Sequence, residues 1–238
     1  MTSPTDLRIK IFADGADLPS MLALAGQPHI KGLTTNPTLM RQAGLTDYKA
    51  FAADVLAAIT DKPISFEVFA DDRTEIVRQG RLIASWADNV YVKIPVTTTD
   101  GTSTNPMVSE LSSEGVKLNV TALMTPAQVE SVAAALRPGV PAIISVFAGR
   151  VADTGRDPVP LMQECVDLLS AHDDIELIWA SPRELLNIFQ ADAIGCDIIT
   201  VTPDLLKKLD LVGKDLDAFS LETVQMFYRD ATAAGFQL

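Results

Sequence analysis

The chain has 238 residues, 47% hydrophobic and 21% charged, with 14 prolines, 13 glycines and two cysteines, which excludes disordered, fibrous and disulfide-built classes. Its 19 basic residues against 31 acidic ones leave a formal charge of −12, a field that repels phosphate backbones and anionic lipid, so neither nucleic acid nor membrane is an expected partner. The length admits one large domain or two small ones.

The first 17 residues carry Asp6, Asp14 and Asp17 and lack the apolar run of a signal peptide, and a cytoplasmic location is expected. Cys165 and Cys196 have no Cys or His neighbour at metal spacing and read as two reduced, buried thiols, so no metal site is expected. Asn119-Val120-Thr121 matches the glycosylation triplet, which carries almost no weight without a secretory signal.

Short β-rich runs recur along the chain at 8–13, 30–34, 64–68, 89–95, 115–121, 142–147, 175–180 and 197–201. Between them lie segments whose apolar residues return at three and four, such as 48–59, 75–87, 126–136, 158–170 and 183–193. Thr125-Pro126, Asp157-Pro158, Ser181-Pro182 and Thr202-Pro203 each read as a helix opening. A final helical pattern over 220–234 follows the eighth unit, either folded back on its own domain or reaching a neighbouring subunit.

Eight strands alternating with helices predict an α/β fold with a parallel sheet, either doubly wound or closed. After the first strand, Asp14-Gly15-Ala16-Asp17 lacks the glycine spacing of a dinucleotide site. Polar residues gather instead at the carboxyl ends of strands, as a (β/α)8 TIM barrel requires. With no linker or repeat to divide the chain, residues 1–238 read as one barrel domain with an extra C-terminal helix.

Lys93 stands inside Val90-Tyr91-Val92-Lys93-Ile94-Pro95, where a central strand places its amine among apolar neighbours. Desolvation favours a neutral amine that can attack a carbonyl; the alternative is a lysine that snorkels or pairs with a carboxylate. Asp14 and Glu67 end the first and third strands, so a barrel aims both carboxylates at the same mouth as Lys93. Alternation also puts Asn119 and Thr121 on the inner face and Val120 outside. Arg150 after the sixth strand and Arg183 after the seventh converge on one anion, with Ser181 and the amino end of the next helix adding donors. Surface ion pairs to Asp153 or Glu184 are the other fate open to these arginines.

Several motifs carry a resemblance: Phe12-Ala13-Asp14, Gly32-Leu33-Thr34-Thr35-Asn36-Pro37, Tyr91-Val92-Lys93-Ile94-Pro95, Leu118-Asn119-Val120-Thr121 and Ala180-Ser181-Pro182-Arg183. Glu67 within 64–68, the run 145–150 and Ala193-Ile194-Gly195-Cys196-Asp197 complete it. The chain resembles the transaldolase family over nearly its whole length, and its size is similar to the small subfamily that includes the fructose-6-phosphate aldolases. That resemblance implies a barrel whose lysine forms a Schiff base with a ketose phosphate, without metal or organic cofactor. It assigns Lys93 as nucleophile, Asp14 to the substrate hydroxyl proton, and Glu67 with Thr121 to a catalytic water. Asn36, Asn119 and Ser145 correspond to positions that bind the dihydroxyacetone portion, and Arg150, Ser181 and Arg183 to phosphate binders.

Two positions bear on subclass. Transaldolases are similar in carrying a glutamate at Glu67 and a phenylalanine at Phe147, where the fructose-6-phosphate aldolases have glutamine and tyrosine. The resemblance therefore favours transfer of dihydroxyacetone from a ketose phosphate, such as sedoheptulose 7-phosphate or fructose 6-phosphate, to an aldose phosphate. Net aldol cleavage that releases free dihydroxyacetone is the alternative, and a catalytically silent sugar-phosphate binding protein is a third. The small subfamily is similar in often forming multi-subunit rings through its last helix, and the resemblance therefore implies a homo-oligomer with 220–234 in the interface. The segment 97–107 reads as a loop over the mouth, longer than is usual after the lysine strand.

Overall fold

A computed structural model describes residues 6–237. Eight strands, β1 (Lys10–Asp14), β2 (Ile30–Thr34), β3 (Ile64–Glu67), β4 (Val90–Pro95), β5 (Leu118–Leu123), β6 (Ala142–Val146), β7 (Ile175–Trp179) and β8 (Ile198–Val201), close in sequential order. Every neighbouring pair is parallel, β8 returning to β1, which makes the fold a TIM barrel. Helices α1 (Leu18–Ala25), α2 (Pro37–Gln42), α3 (Tyr48–Ala58), α4 (Arg73–Ala84), α5 (Asn105–Ser113) and α6 (Pro126–Ala135) cover the first five strands. They are followed by α7 (Ala148–Ala152), α8 (Pro158–Leu169), α9 (Leu186–Ala193), α10 (Pro203–Leu206) and α11 (Leu216–Ala234). Side-chain caps fix where several helices begin: Asp17, Asn36, Asp47, Asp72 and Asp157 each accept a first-turn amide, and Thr125 with Gln128 forms a capping box.

Strand alternation sorts the side chains into two sets. Phe66, Val92, Ile94, Val120, Ile144, Leu177, Trp179 and Val201 point outward into the layer between barrel and helices. Phe12, Ile143, Ile178, Ala180 and Ile198 fill the lumen, with Tyr91 and Phe147 against them. Gly32 is required here: a Cβ on it would sit 2.5 Å from Phe12 Cζ, so the ring takes the space that a side chain would need. This apolar plug lies below the cavity at the carboxyl-end mouth.

Three expectations need correction. Ser181-Pro182 does not open a helix, because Ser181 has a left-handed φ of 61° and α9 starts only at Leu186, with Leu185 making no side-chain cap. The loop after β4 ends sooner than 107, since Thr104 precedes α5; within it Thr97 bridges Ser103, and Thr98 N–H donates to the Thr102 carbonyl at 2.9 Å. The last helix begins at Leu216 rather than 220, four residues earlier where Asp215 caps it, and it does not fold back on the barrel: none of its residues is buried. Leu216, Leu221, Val224, Phe227 and Tyr228 stand exposed along it.

Candidate active site

A cavity of about 480 Å³ opens at the carboxyl ends of the strands. Asp14, Asn36, Glu67, Lys93, Thr121, Ser145, Phe147, Arg150, Ser181 and Arg183 all line it. Of the residues singled out from sequence, only Asn119 lies outside the lining. Its amide is fully buried one level below, donating to Ser65 Oγ at 2.9 Å and accepting from Ser145 Oγ at 2.7 Å. Asn119 therefore fixes the Ser145 hydroxyl in the cavity wall.

Lys93 is held on two sides. Its Nζ lies 3.1 Å from Glu67 Oε2 and donates to the Thr35 carbonyl at 3.0 Å, with both side chains largely dehydrated. The barrel register makes this contact, because Glu67 and Lys93 are direct partners on β3 and β4. Asp14 approaches from β1. Thr34 Oγ1 donates to its Oδ1 at 2.8 Å and Asn36 Nδ2 to its Oδ2 at 3.3 Å, while Thr34 also meets the Thr200 hydroxyl. Burial raises the Asp14 carboxyl above its ordinary range, opposed by the Lys93 charge and by the Thr34 and Asn36 hydrogen bonds. Such a carboxyl is suited to exchanging a proton with a bound hydroxyl.

Thr121 Oγ1 is buried without a protein partner, although it lines the cavity. An orphaned hydroxyl facing a polar cavity fits a bound water or substrate oxygen. The next residue, Ala122, has a φ of 66°, and Ser181 after β7 has one of 61°. Left-handed backbone at two non-glycine residues costs about 1–2 kcal/mol each, and both border the same cavity.

The arginines divide. Arg183 forms a two-pronged ion pair with Asp153, its Nε donating to Oδ1 at 2.9 Å and its terminal nitrogen to Oδ2. The Arg183 hydrogen bonds hold the Asp153 carboxyl below the usual range, and the Arg150 charge adds to this. Arg150 lies over the Phe147 ring, 5.6 Å from its centroid. Both guanidinium groups border one side of the cavity with Ser181. Two amides ahead of α9 are already taken: those of Arg183 and Glu184 both donate to Asn187 Oδ1, at 2.8 and 3.1 Å. Gly149 permits the close approach that brings these loops together, since a Cβ on it would lie 1.5 Å from the Ser181 carbonyl oxygen.

Sequence reasoning missed Thr34, Thr200, the Thr35 carbonyl and Tyr48. Thr34 and Thr200 sit at strand ends on the inner face, so the same alternation that finds Glu67 would have found them. A backbone carbonyl and a helix tyrosine have no comparable signature. Among the described residues, no group of three or more His, Cys, Asp or Glu side chains is placed to hold a metal ion, and no helix is long and apolar enough to cross a membrane.

The fold and this mouth define a (β/α)8 barrel with a buried lysine between two carboxylates. Residues 11–238 match the family described as Transaldolase/Fructose-6-phosphate aldolase, and the chain belongs to that enzyme family. It is 34% identical over 202 residues to a "Probable transaldolase" of Dehalococcoides mccartyi, covering 84% of this chain and 90% of that one. A "Probable transaldolase" of Roseiflexus castenholzii is 37% identical over 193 residues, covering 81% and 85%. Among solved structures, a "putative phosphonomutase" from Burkholderia cenocepacia superimposes with a TM-score of 0.56 at 11% identity, covering 93% and 94%, a likeness of fold alone.

Proposed function

We propose that this protein is a transaldolase that moves a dihydroxyacetone unit between phosphorylated sugars through a Schiff base on Lys93. The observation that carries the reading is the dry Lys93 amine with a carboxylate 3.1 Å away, in a cavity that also holds Asp14 and two arginines. Glu67 is within reach to take a proton from Nζ, and the neutral amine attacks the ketose carbonyl carbon to form a C–N bond. The carbinolamine loses water, Glu67 returning the proton with the water held at Thr121, and an iminium results. Asp14 then takes the proton of the C4 hydroxyl, the C3–C4 bond breaks, and its electron pair passes into the enamine as an aldose phosphate leaves. An acceptor aldehyde enters, the enamine carbon adds to it, and the new alkoxide recovers the proton from Asp14. Hydrolysis of the iminium releases the product ketose.

Asn36 and Ser145 are the proposed holders of the dihydroxyacetone hydroxyls, Asn119 acting through Ser145. Arg150, Ser181 and Arg183 receive the phosphate, with Asp153 keeping Arg183 oriented until the anion arrives. The chain works without an added metal or organic cofactor in this reading. Two buried, unpaired cysteines suit the reducing cytoplasm. The exposed apolar face of α11 is assigned to a second copy of the chain in a homo-oligomer, and a monomer in light scattering would contradict that.

Phe147 favours transfer over net cleavage, because a ring without a hydroxyl cannot protonate the enamine carbon. Fructose 6-phosphate should be consumed in turnover quantity only when erythrose 4-phosphate is supplied, yielding sedoheptulose 7-phosphate. Steady release of free dihydroxyacetone without an acceptor would point to the aldolase instead. Binding of fructose 6-phosphate with no product under either condition would point to a silent binding protein.

A further inference from the structure

The parallel ladder between β2 and β3 stops one rung early, and the atoms freed there belong to the reaction centre. Leu33 N–H donates to the Pro63 carbonyl at 2.9 Å, and Thr35 N–H to the Ser65 carbonyl at 3.3 Å. Continuing that pattern, the next rung would run from Glu67 N–H to the Thr35 carbonyl. It is absent. The Thr35 carbonyl instead accepts from Lys93 Nζ at 3.0 Å. Glu67 N–H is taken by the Tyr48 hydroxyl at 2.8 Å, and the same hydroxyl sits 3.2 Å from the Glu67 carbonyl, positioned to donate to it.

One phenolic oxygen on α3 thus replaces a strand at the place where β2 turns away through Asn36 into α2. Without it, Glu67 N–H would be left unpaired at a half-buried site or would return to the Thr35 carbonyl, where it competes with Lys93. The ring is set by neighbours: its centroid lies 4.6 Å from that of Phe69, 5.7 Å from Trp86 and 6.0 Å from Phe66. Burial pushes the Tyr48 hydroxyl far above its ordinary range, and the Glu67 carboxylate adds to this, so the clamp keeps its proton throughout the working pH range.

We infer that Tyr48 is a positioning residue: by taking over the missing β2–β3 rung it frees the Thr35 carbonyl to hold the Lys93 amine and fixes Glu67 beside it. This rests on the Schiff-base reading above. The contact to substrate belongs to Lys93 and Glu67; Tyr48 sets the angle and distance at which they meet it.

The test compares Tyr48→Phe with Trp86→Phe, a neighbour in the same aromatic cluster whose side chain makes no hydrogen bond to Glu67 or Lys93. Trp86 Nε1 is buried without a partner, so its replacement removes packing and no hydrogen bond. Both variants should melt below the parent. Tyr48→Phe alone should lower kcat and the rate of borohydride-trapped adduct formation with fructose 6-phosphate by about tenfold or more, with KM changed by about twofold at most. Trp86→Phe should keep both rates within about twofold of the parent. Equal rates in Tyr48→Phe and parent, or equal losses in the two variants, would overturn the positioning role while leaving the lysine chemistry intact. A parent protein that forms no adduct would overturn both readings together.

Discussion

The barrel lumen holds two lysine–glutamate pairs, one at each end. Lys10 and Glu176 meet at the amino end of the strands with side chains 51% and 33% exposed, whereas Lys93 and Glu67 meet at the carboxyl end at 8% and 13%. The residue types are the same, and hydration differs. Water screens the first pair and keeps its charges cheap, so it does little beyond closing the bottom of the barrel. The second is surrounded by buried strands, a carbonyl and a second carboxylate, where moving one proton changes the local balance of charge sharply. Between them lies the apolar plug of Phe12, Ile143, Ile178 and Ile198.

The contrast breaks most severely at the upper pair. Lys93→Met should lower turnover by about a thousandfold or more, because among the described residues no other lysine lines the cavity to form the covalent intermediate. Steady-state assay of sugar transfer checks it. Asp14→Asn should come next, with kcat down by about a hundredfold and a gain in stability. Folding holds the Asp14 carboxyl above its unfolded value, so the native state keeps a proton that the unfolded chain releases as pH rises from about 4. Stability is therefore lost as pH rises through that window. The asparagine variant should melt above the parent at neutral pH and converge with it on acidification, which a pair of pH-dependent melting series would show.

A smaller effect tests the plug. Gly32→Ala must push its Cβ into the Phe12 ring, and it should cost about 1–3 kcal/mol in denaturant unfolding. The smallest change is expected at the lower pair: Lys10→Met should alter stability by about 1 kcal/mol or less and leave turnover within about twofold of the parent.

Much of this molecule is legible in its residues. The eight strands appear as short apolar runs, period-two alternation places Glu67 and Thr121 on the inner face, and the strand-end position of Lys93 aims it at the same mouth, where the structure has all three. Depth is not legible. Asn119 shares a face with Thr121 but lies below the cavity, because height along a tilted barrel depends on the stagger of all eight strands. Ser181-Pro182 has the composition of a helix start, yet a left-handed Ser181 and the Asn187 side chain decide the backbone there. Tyr48 is spaced like any apolar position of α3, and only the early end of the β2 ladder gives its hydroxyl a task. The packing of α11 was open from periodicity alone, since amphipathic spacing names a face without naming what covers it.

The central claim is that dehydration, and not the presence of a lysine–glutamate pair, makes one end of this barrel reactive. Incubation with fructose 6-phosphate and borohydride, followed by peptide mapping of the intact protein, tests it within one molecule. The account predicts one stable reduced adduct, on Lys93, with Lys10 unmodified. Labelling of Lys10 to a similar extent, or no adduct on Lys93, would contradict it.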